Sequence, residues 1–152
     1  PVYRILQGDA ELTGAEIGAR LALGEGLGAS WSATVDVDWV NGSYDRFGPI
    51  PRIPPLRTTL GVEADADGVS ARVWAVRTED QDEVAGFELP TDGATTLNAR
   101  LGWKPAGDDG VLEVLVEASN ITDEEVREHT SFLKDIAPRP GRSVRLALRA
   151  SF

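Results

Sequence analysis

The sequence predicts an all-β protein built as an antiparallel up-and-down meander of seven or eight strands. Two observations support this prediction. Apolar and polar residues alternate over successive segments, as they do in strands whose side chains point to opposite faces in turn. The segments are joined by connections that are alternately short and long. In addition, no apolar run approaches the roughly 18 residues that a transmembrane helix needs.

The alternation is strictest in residues 142–152. One face is apolar throughout and consists of Val144, Leu146, Leu148, Ala150 and Phe152. The opposite face carries Arg145 and Arg149. A strand that is apolar on one side, polar on the other and ends on an aromatic residue is typical of the closing strand of an outer-membrane β-barrel, in which the apolar side contacts lipid and the polar side lines the lumen.

Seven segments alternate in this way, at residues 2–23, 29–44, 56–65, 69–78, 95–103, 111–119 and 142–152. In the second, Trp31 and Trp39 lie near opposite ends of an apolar stripe, as expected for aromatic girdles at the two membrane interfaces. Division of the first segment near Gly8 would give eight strands and a small closed barrel. We therefore expect one domain over residues 1–152, forming part of a transmembrane β-barrel or a small one.

The connections support the same architecture. Residues 24–28, 66–68 and 104–110 are short and contain glycine, whereas residues 45–55, 79–94 and 120–141 are long. Because neighbouring strands run antiparallel, all the short turns fall at one end of the sheet and all the long loops at the other. Membrane barrels have this arrangement, with short periplasmic turns and longer outer loops.

The polar faces of these segments carry both signs of charge. Ten charged residues are predicted to face a lumen: Asp36, Asp38, Glu63, Asp65, Arg72, Arg100, Glu113, Glu117, Arg145 and Arg149. The alternative is a soluble β-sandwich or lipocalin-like barrel that binds a small apolar ligand or a protein partner. Its apolar face would point inward, and the same charges would lie in bulk water.

Composition excludes some classes of function. The net charge is -10, which argues against nucleic acid as a partner because phosphate binding needs clustered Lys and Arg. Cys is absent, so there is no disulfide framework and no thiolate site. No signal peptide or initial Met precedes Pro1, and we expect a mature segment, an engineered chain or a piece of a longer one.

One histidine offers a candidate metal site. His129 lies in an acidic stretch with Asp123 and Glu124, and imidazole together with carboxylates suits zinc. The alternative is a solvated acidic loop. No nucleophile has a paired base, and the pair Asp36 and Asp38 is better explained as structural than as a glycosidase pair. We therefore predict neither an enzyme nor a cofactor.

Several motifs then point to a family. Asn120-Ile121-Thr122-Asp123 follows the sixth segment, and Pro140-Gly141-Arg142 precedes the last. Together they resemble the C-terminal end of TonB-dependent outer-membrane receptors. Residues 7–16, 51–57 and 91–98 are similar to earlier parts of the same region, in the same order. The pieces at 51–55 and 131–135 look most like the zinc- and metal-uptake branch.

The resemblance implies a larger assembly. Such receptors are plugged barrels of about 22 strands that import siderophores, haem, cobalamin or metal ions with the help of a periplasmic energy-coupling protein. This chain would be a piece of the barrel wall in the bacterial outer membrane, with outer loops that capture the ligand. Its partners would be membrane lipid, the remainder of the receptor or further copies that complete the barrel, and the assembly machinery, for which Phe152 would be the signal. Seven strands do not close a conventional even-numbered barrel, and an unpaired edge is costly in hydrocarbon.

Overall fold

A computed structural model describes residues 7–106 and 111–150. It contains eight strands: β1 (Ala10–Gly26), β2 (Ala29–Tyr44), β3 (Gly48–Pro49), β4 (Arg57–Ala66), β5 (Val69–Thr78), β6 (Ala94–Trp103), β7 (Leu112–Ser119) and β8 (Ser143–Ala150). No helix among the described residues is long and apolar enough to cross a membrane. The predicted all-β class is confirmed.

The strands form one antiparallel meander in the order β1-β2-β4-β5-β6-β7-β8, and the two-residue β3 pairs back onto β2. The predictions for β2 and β5 match the observed bounds, and those for β4, β6 and β7 begin one residue away from them. The prediction for the first strand differs more, because the observed β1 begins at Ala10 and ends at Gly26. Its register against β2 shifts between Ala22 and Gly24, where Gly24 has a φ of 98°. This glycine makes a bulge within the strand and does not end it.

The turns after β1 and β4 are tight. Leu27 and Gly28 join β1 to β2 with φ angles of 54° and 77°, and two successive positive values define the hairpin turn that matches strand twist. Asp67 and Gly68 join β4 to β5, at the hairpin predicted from the sequence. The three long connections, residues 45–56, 79–93 and 120–142, lie at the opposite end of the sheet.

Strand register keeps the polar and apolar rows on separate faces across the whole sheet. One polar row passes from Glu63 to Arg72, Arg100, Glu117 and Arg145 on successive strands. An apolar row passes in the same way through Val62, Val73, Ala99, Ala118 and Val144. We call the two sides the polar face and the apolar face.

The apolar face is uncovered. Leu60 is 56% exposed, Val73 50% and Leu146 66%. Within the described ranges there is one sheet, and no second sheet packs on these side chains. A β-sandwich or lipocalin-like barrel would have buried this row, so the structure does not support either alternative.

The sheet is also open. Within residues 7–106 and 111–150, β1 and β8 occupy opposite edges and do not pair with each other. Every residue of these two strands is exposed. The small closed barrel considered from the sequence is therefore not the observed arrangement. Burial is concentrated among polar residues, namely Ser32, Thr91, Asn98, Asn120, His129 and Lys134, while Ala85 and Ala94 are the buried apolar residues of the part described.

Candidate binding cavity and the segments that enclose it

The ten predicted lumen-facing residues all lie on the polar face, as the strand register requires. The face is organised by carboxylates placed between arginines. Glu63 lies 2.5 Å from the Arg20 guanidinium and 3.2 Å from that of Arg72. Glu63 is only 16% exposed, whereas Arg20 remains 57% exposed. Asp65, at 4.0 Å from Arg20, is more peripheral.

A second group follows on β6, β7 and β8. Glu117 lies 2.6 Å from Arg100 and 3.4 Å from Arg145. Further along the same strands, Glu113 lies 3.7 Å from Arg149. Both carboxylates are about one-fifth exposed, so the arginines cover them from solvent. That this face lines a lumen remains a prediction, because the described sheet does not close around it.

Two arginines of this face were absent from the sequence prediction. Arg20 contacts Glu63, and Arg57 lies 3.1 Å from Asp38. Arg20 alternates with Ala19 and Leu21, so the period-two pattern already contained the signal. Arg57 lies at the first residue of β4, where the alternation has only begun.

A cavity of about 760 Å³ lies between the polar face and the last long connection. The sheet contributes residues from β1, β2, β4, β5, β6 and β7, among them Asp38, Thr59, Trp74 and Asn98. Residues 126–129 and Arg139 form another wall. Trp74 is the aromatic side chain of this lining that comes from the polar face, and the Arg72 guanidinium lies 5.1 Å from its ring centre. The lining therefore combines both charges, amide and hydroxyl groups and the Trp74 indole, which suits a polar ligand.

We call residues 120–142, which connect β7 to β8, the strap. Its first turn is built by Asn120, which is buried and has a φ of 50°. The Asn120 backbone N–H donates to Asn98 Oδ1 at 3.0 Å. Its side-chain amide donates to the Glu124 carbonyl at 2.8 Å and accepts from the Glu124 N–H at 3.0 Å. The Asn-Ile-Thr-Asp motif is therefore a turn that starts the strap.

The two ends of the strap meet. Asp123 Oδ1 accepts a hydrogen bond from the Arg142 backbone N–H at 2.8 Å, and the two side chains lie 3.8 Å apart. Gly141 lets the chain pass close to this carboxylate, because a Cβ at that position would lie 2.8 Å from Asp123 Oδ1 and the Asp123 side chain would have to shift. The two motifs that carry the family resemblance thus contact each other.

The middle of the strap is held by a buried ionic cluster. His129 is 1% exposed, and its Nδ1 lies 2.5 Å from Thr91 Oγ1 and 3.3 Å from Lys134 Nζ. Glu88 Oε1 lies 3.4 Å from His129 Nε2 and 3.3 Å from Lys134 Nζ. An ammonium can only donate, so Nδ1 must be the unprotonated nitrogen, and Nε2 carries the proton and faces Glu88.

The cluster also reaches the first long connection, because the Arg52 backbone N–H lies 3.2 Å from each Glu88 carboxylate oxygen. Burial lowers the pKa of His129, and the nearby Lys134 lowers it further, so the imidazole is kept neutral. Burial opposes ionisation of Glu88, but the Arg52 N–H and Lys134 outweigh it, and the pKa of Glu88 lies below its ordinary value. The charged pair is therefore Glu88 and Lys134, with a neutral His129 beside it.

The structure does not gather His129, Asp123 and Glu124 into one site. Asp123 is bonded to Arg142, and the backbone of Glu124 is bonded to Asn120, while His129 faces Glu88 and Lys134. In the described ranges, no group of three or more His, Asp or Glu side chains is arranged to hold a metal ion. The sequence reasoning missed Glu88, Thr91 and Lys134, because only the tertiary structure brings them to His129.

No protein-family model matches the sequence, and no curated protein matches it. Solved structures do match. Copper transporter OprC is similar with a TM-score of 0.83 and 20% sequence identity, over 95% of this chain and 24% of OprC. This chain thus has the fold of a piece of that transporter and spans about a quarter of its length. At this identity the likeness concerns the fold.

Proposed function

We propose that the chain is the C-terminal part of the barrel wall of a TonB-dependent receptor in the bacterial outer membrane, which takes up a scarce nutrient such as a metal ion or a siderophore. The observation that carries this proposal is the apolar face, continuous across seven strands and uncovered, opposite a face of ion pairs. Contiguous apolar surface of this extent is rare on soluble monomers. In contact with acyl chains it carries no hydration cost.

The tryptophans fit a membrane position. Trp31 and Trp103 lie on the apolar face near the short turns, and Trp39 lies on the same face near the long connections. Trp31 and Trp39 are eight residues apart, which is about 26 Å along a strand and about 20 Å along the membrane normal at a tilt of about 40°. Aromatic girdles flank an apolar band of similar height in known barrels.

The two open edges require further strands. Unpaired backbone groups cost several kcal/mol each in hydrocarbon, so β1 and β8 would pair with the remainder of the receptor or with further copies. The share of OprC that the chain covers, 24%, agrees with a piece of a larger barrel. Recognition by the assembly machinery through Phe152 and work driven by an energy-coupling protein remain predictions, and Phe152 lies outside the described residues.

The transported ligand has to be identified in binding or uptake experiments on the whole receptor. The name of the structural neighbour makes copper the first ion to test. The chain has no Cys, no Met and one His, so thiolate and thioether ligands for copper would have to come from other parts of the protein. The role we assign to this segment is that of wall and outer loops.

Cysteine labelling in outer membranes tests the proposal. The chain contains no Cys, and Thr59 and Leu60 are neighbours on β4 that point to the cavity and to the apolar face, respectively. We expect a small water-soluble maleimide to label Thr59→Cys but not Leu60→Cys in the folded protein, and to label both after unfolding in detergent. Equal labelling of both in the folded protein, or recovery of the protein as a detergent-free monomer, would overturn the proposal in favour of a soluble binding module.

A further inference from the structure

The strap is attached in two different ways. At its ends it is continuous with β7 and β8 and is fixed by Asn120 and by the pair Asp123 and Arg142. In its middle, the hydrogen bonds and ion pairs with other segments are made by His129 and Lys134 to residues 88–91, and the Phe132 ring lies 3.3 Å from the Arg52 guanidinium carbon. The polar attachment of the middle is therefore concentrated in one cluster.

The strap is braced internally. Arg127 donates to the Lys134 carbonyl at 2.7 Å, and the Arg139 N–H donates to the Val126 carbonyl at 2.8 Å. A tight turn at its centre is closed by the Ala137 N–H, which donates to the Leu133 carbonyl at 2.8 Å. These bonds lie within the strap, so they would be kept if it moved away from residues 79–93.

Little apolar surface holds the strap closed. Among its large apolar side chains, Phe132, Leu133 and Ile136 are 81%, 54% and 79% exposed, while Ile121 and Val126 are half-buried. Phe87 on the facing segment is 81% exposed. Ala85 is the buried apolar residue of residues 79–93. Separation of the two segments would therefore expose few new apolar groups to water, and the closed arrangement depends on the polar cluster.

We propose that the strap is a lid over the cavity, latched to residues 79–93 by the buried cluster of Glu88, Lys134, His129 and Thr91, and that release of this latch opens the cavity. We expect two arrangements of the latch to be stable, the closed one observed here and an open one. When all of its members are in contact, each buried charge is compensated, and when it is open, each is hydrated. Intermediate arrangements leave a buried charge without a partner, which is the least favourable case. His129 both belongs to the latch and lines the cavity, so it couples the two.

A matched pair of substitutions tests the latch. Glu88 and Glu125 are both in ion pairs within these connections, but the Glu88 side chain is 6% exposed and that of Glu125 is 64% exposed. The reporter is Thr96→Cys, which lies in the cavity lining, labelled by a bulky maleimide in the folded protein. We expect Glu88→Gln to raise the labelling rate at least about tenfold, and Glu125→Gln to leave it unchanged.

Labelling of the Glu88→Gln protein at the unaltered rate, with strand content retained, would overturn the lid. If Glu88→Gln does not fold, hydrogen exchange of the unsubstituted protein decides the question. A latched lid predicts that the amides of 126–139 and 82–91 lose protection together, faster than the amides of β4 to β6. Independent exchange of the two segments would contradict it. These outcomes do not depend on whether Leu60 contacts lipid. Failure of the lid proposal and failure of the membrane proposal can therefore be distinguished.

Discussion

Single residues on the polar face show how charge is arranged at close range. Arg72 and Arg100 are directly opposite each other on β5 and β6, and like charges in such a pair repel. Glu63 flanks the pair on one side and Glu117 on the other, each within 3.2 Å of its arginine. In this row the carboxylates are largely shielded from solvent and the arginines are exposed. Because each carboxylate lies between two arginines, its neutralisation affects more than one partner.

We predict that Glu63→Gln lowers the free energy of unfolding by about 2 kcal/mol, because Arg20 and Arg72 lose a partially buried common partner. The matched control is Asp65→Asn on the same strand and face. Its side chain is 59% exposed and 4.0 Å from Arg20, so we expect a loss below about 1 kcal/mol. Denaturant titration in detergent micelles measures both, and equal losses would contradict the different roles.

Gly61 provides a second test at this scale. A Cβ at this position would lie 2.7 Å from Thr34 Oγ1 and 3.3 Å from the Trp74 Cβ. We predict that Gly61→Ala lowers the free energy of unfolding by about 1–3 kcal/mol through overpacking. Gly86→Ala is the control, since no atom lies within 4 Å of its added methyl, and it should be neutral or stabilising by up to about 1 kcal/mol. Thermal unfolding measures the difference, and a destabilisation by Gly86→Ala as large as that by Gly61→Ala would refute it.

At the scale of elements, the turn at Asn120 combines two separable contributions. Its φ of 50° disfavours most side chains, and its amide makes hydrogen bonds with Glu124. We predict that Asn120→Gly, which tolerates this φ, is destabilised only by the lost hydrogen bonds, at about 1–2 kcal/mol. Asn120→Ala should be destabilised by about 1 kcal/mol more, because the backbone is then also strained. Identical unfolding free energies for the two variants would show that the φ angle is unimportant.

The strap also has a predicted pH dependence. In the closed protein, burial and then Lys134 lower the pKa of His129 below its ordinary value of 6.5. An open strap therefore binds more protons than a closed one at pH values between the lowered pKa and about 6.5, and acidification favours opening. Glu88, with a pKa below 4.5, acts in the same direction only in stronger acid. Thr91 also contacts His129, and the charges of Asp135 and Glu128 act on the pKa of His129 in the opposite direction, raising it.

We expect the strap amides to lose protection against hydrogen exchange, after correction for intrinsic rates, as the pH is lowered from 7.5 to 5.5. In His129→Gln this loss should be absent, because the titrating group has been removed. The amides of β4 to β6 serve as the internal reference. If protection of the strap amides rose on acidification, the prediction that acid favours opening would be wrong.

At the scale of the whole molecule, the sheet formed by residues 7–106 and 111–150 is open and its apolar side is uncovered, so this part of the chain has no apolar core of the usual kind. Buried residues are concentrated where the long connections meet, and they are mainly polar. The strands are held together by backbone hydrogen bonds and by ion pairs on the polar face. The proposed role as a wall segment accounts for both features, since lipid would complete the apolar side and further strands would complete the edges.

Engineered disulfides test the open edges. Ile17 and Val37 are register partners on β1 and β2, whereas Leu146 lies on β8 at the far edge. We predict that Ile17→Cys with Val37→Cys cross-links within one molecule, and that Ile17→Cys with Leu146→Cys does not. Because the chain contains no Cys, each disulfide has one assignment within it. An intramolecular Ile17–Leu146 bond would indicate that the chain closes into a small barrel by itself.

The sequence alone determined the strands and their faces. Side-chain alternation has a period of two, and it persists wherever a strand separates two different environments, so β2 and β5 could be delimited to the residue. The glycine-containing turns were equally local. The prediction for β1 ends three residues too early because Gly24 indicates the start of a turn, whereas a bulge uses the same positive φ without ending the strand. Residues 2–6 of that prediction lie outside the described residues.

Only the tertiary structure decided how distant residues meet. Glu88, Thr91, His129 and Lys134 come from two connections separated by a strand pair, and no local pattern marks them as partners. The metal hypothesis grouped His129 with Asp123 and Glu124 because they are close in sequence, but the strap folds them apart. Irregular segments have no repeating geometry that fixes which side chains converge, so their contacts follow from the positions of the strands that they join.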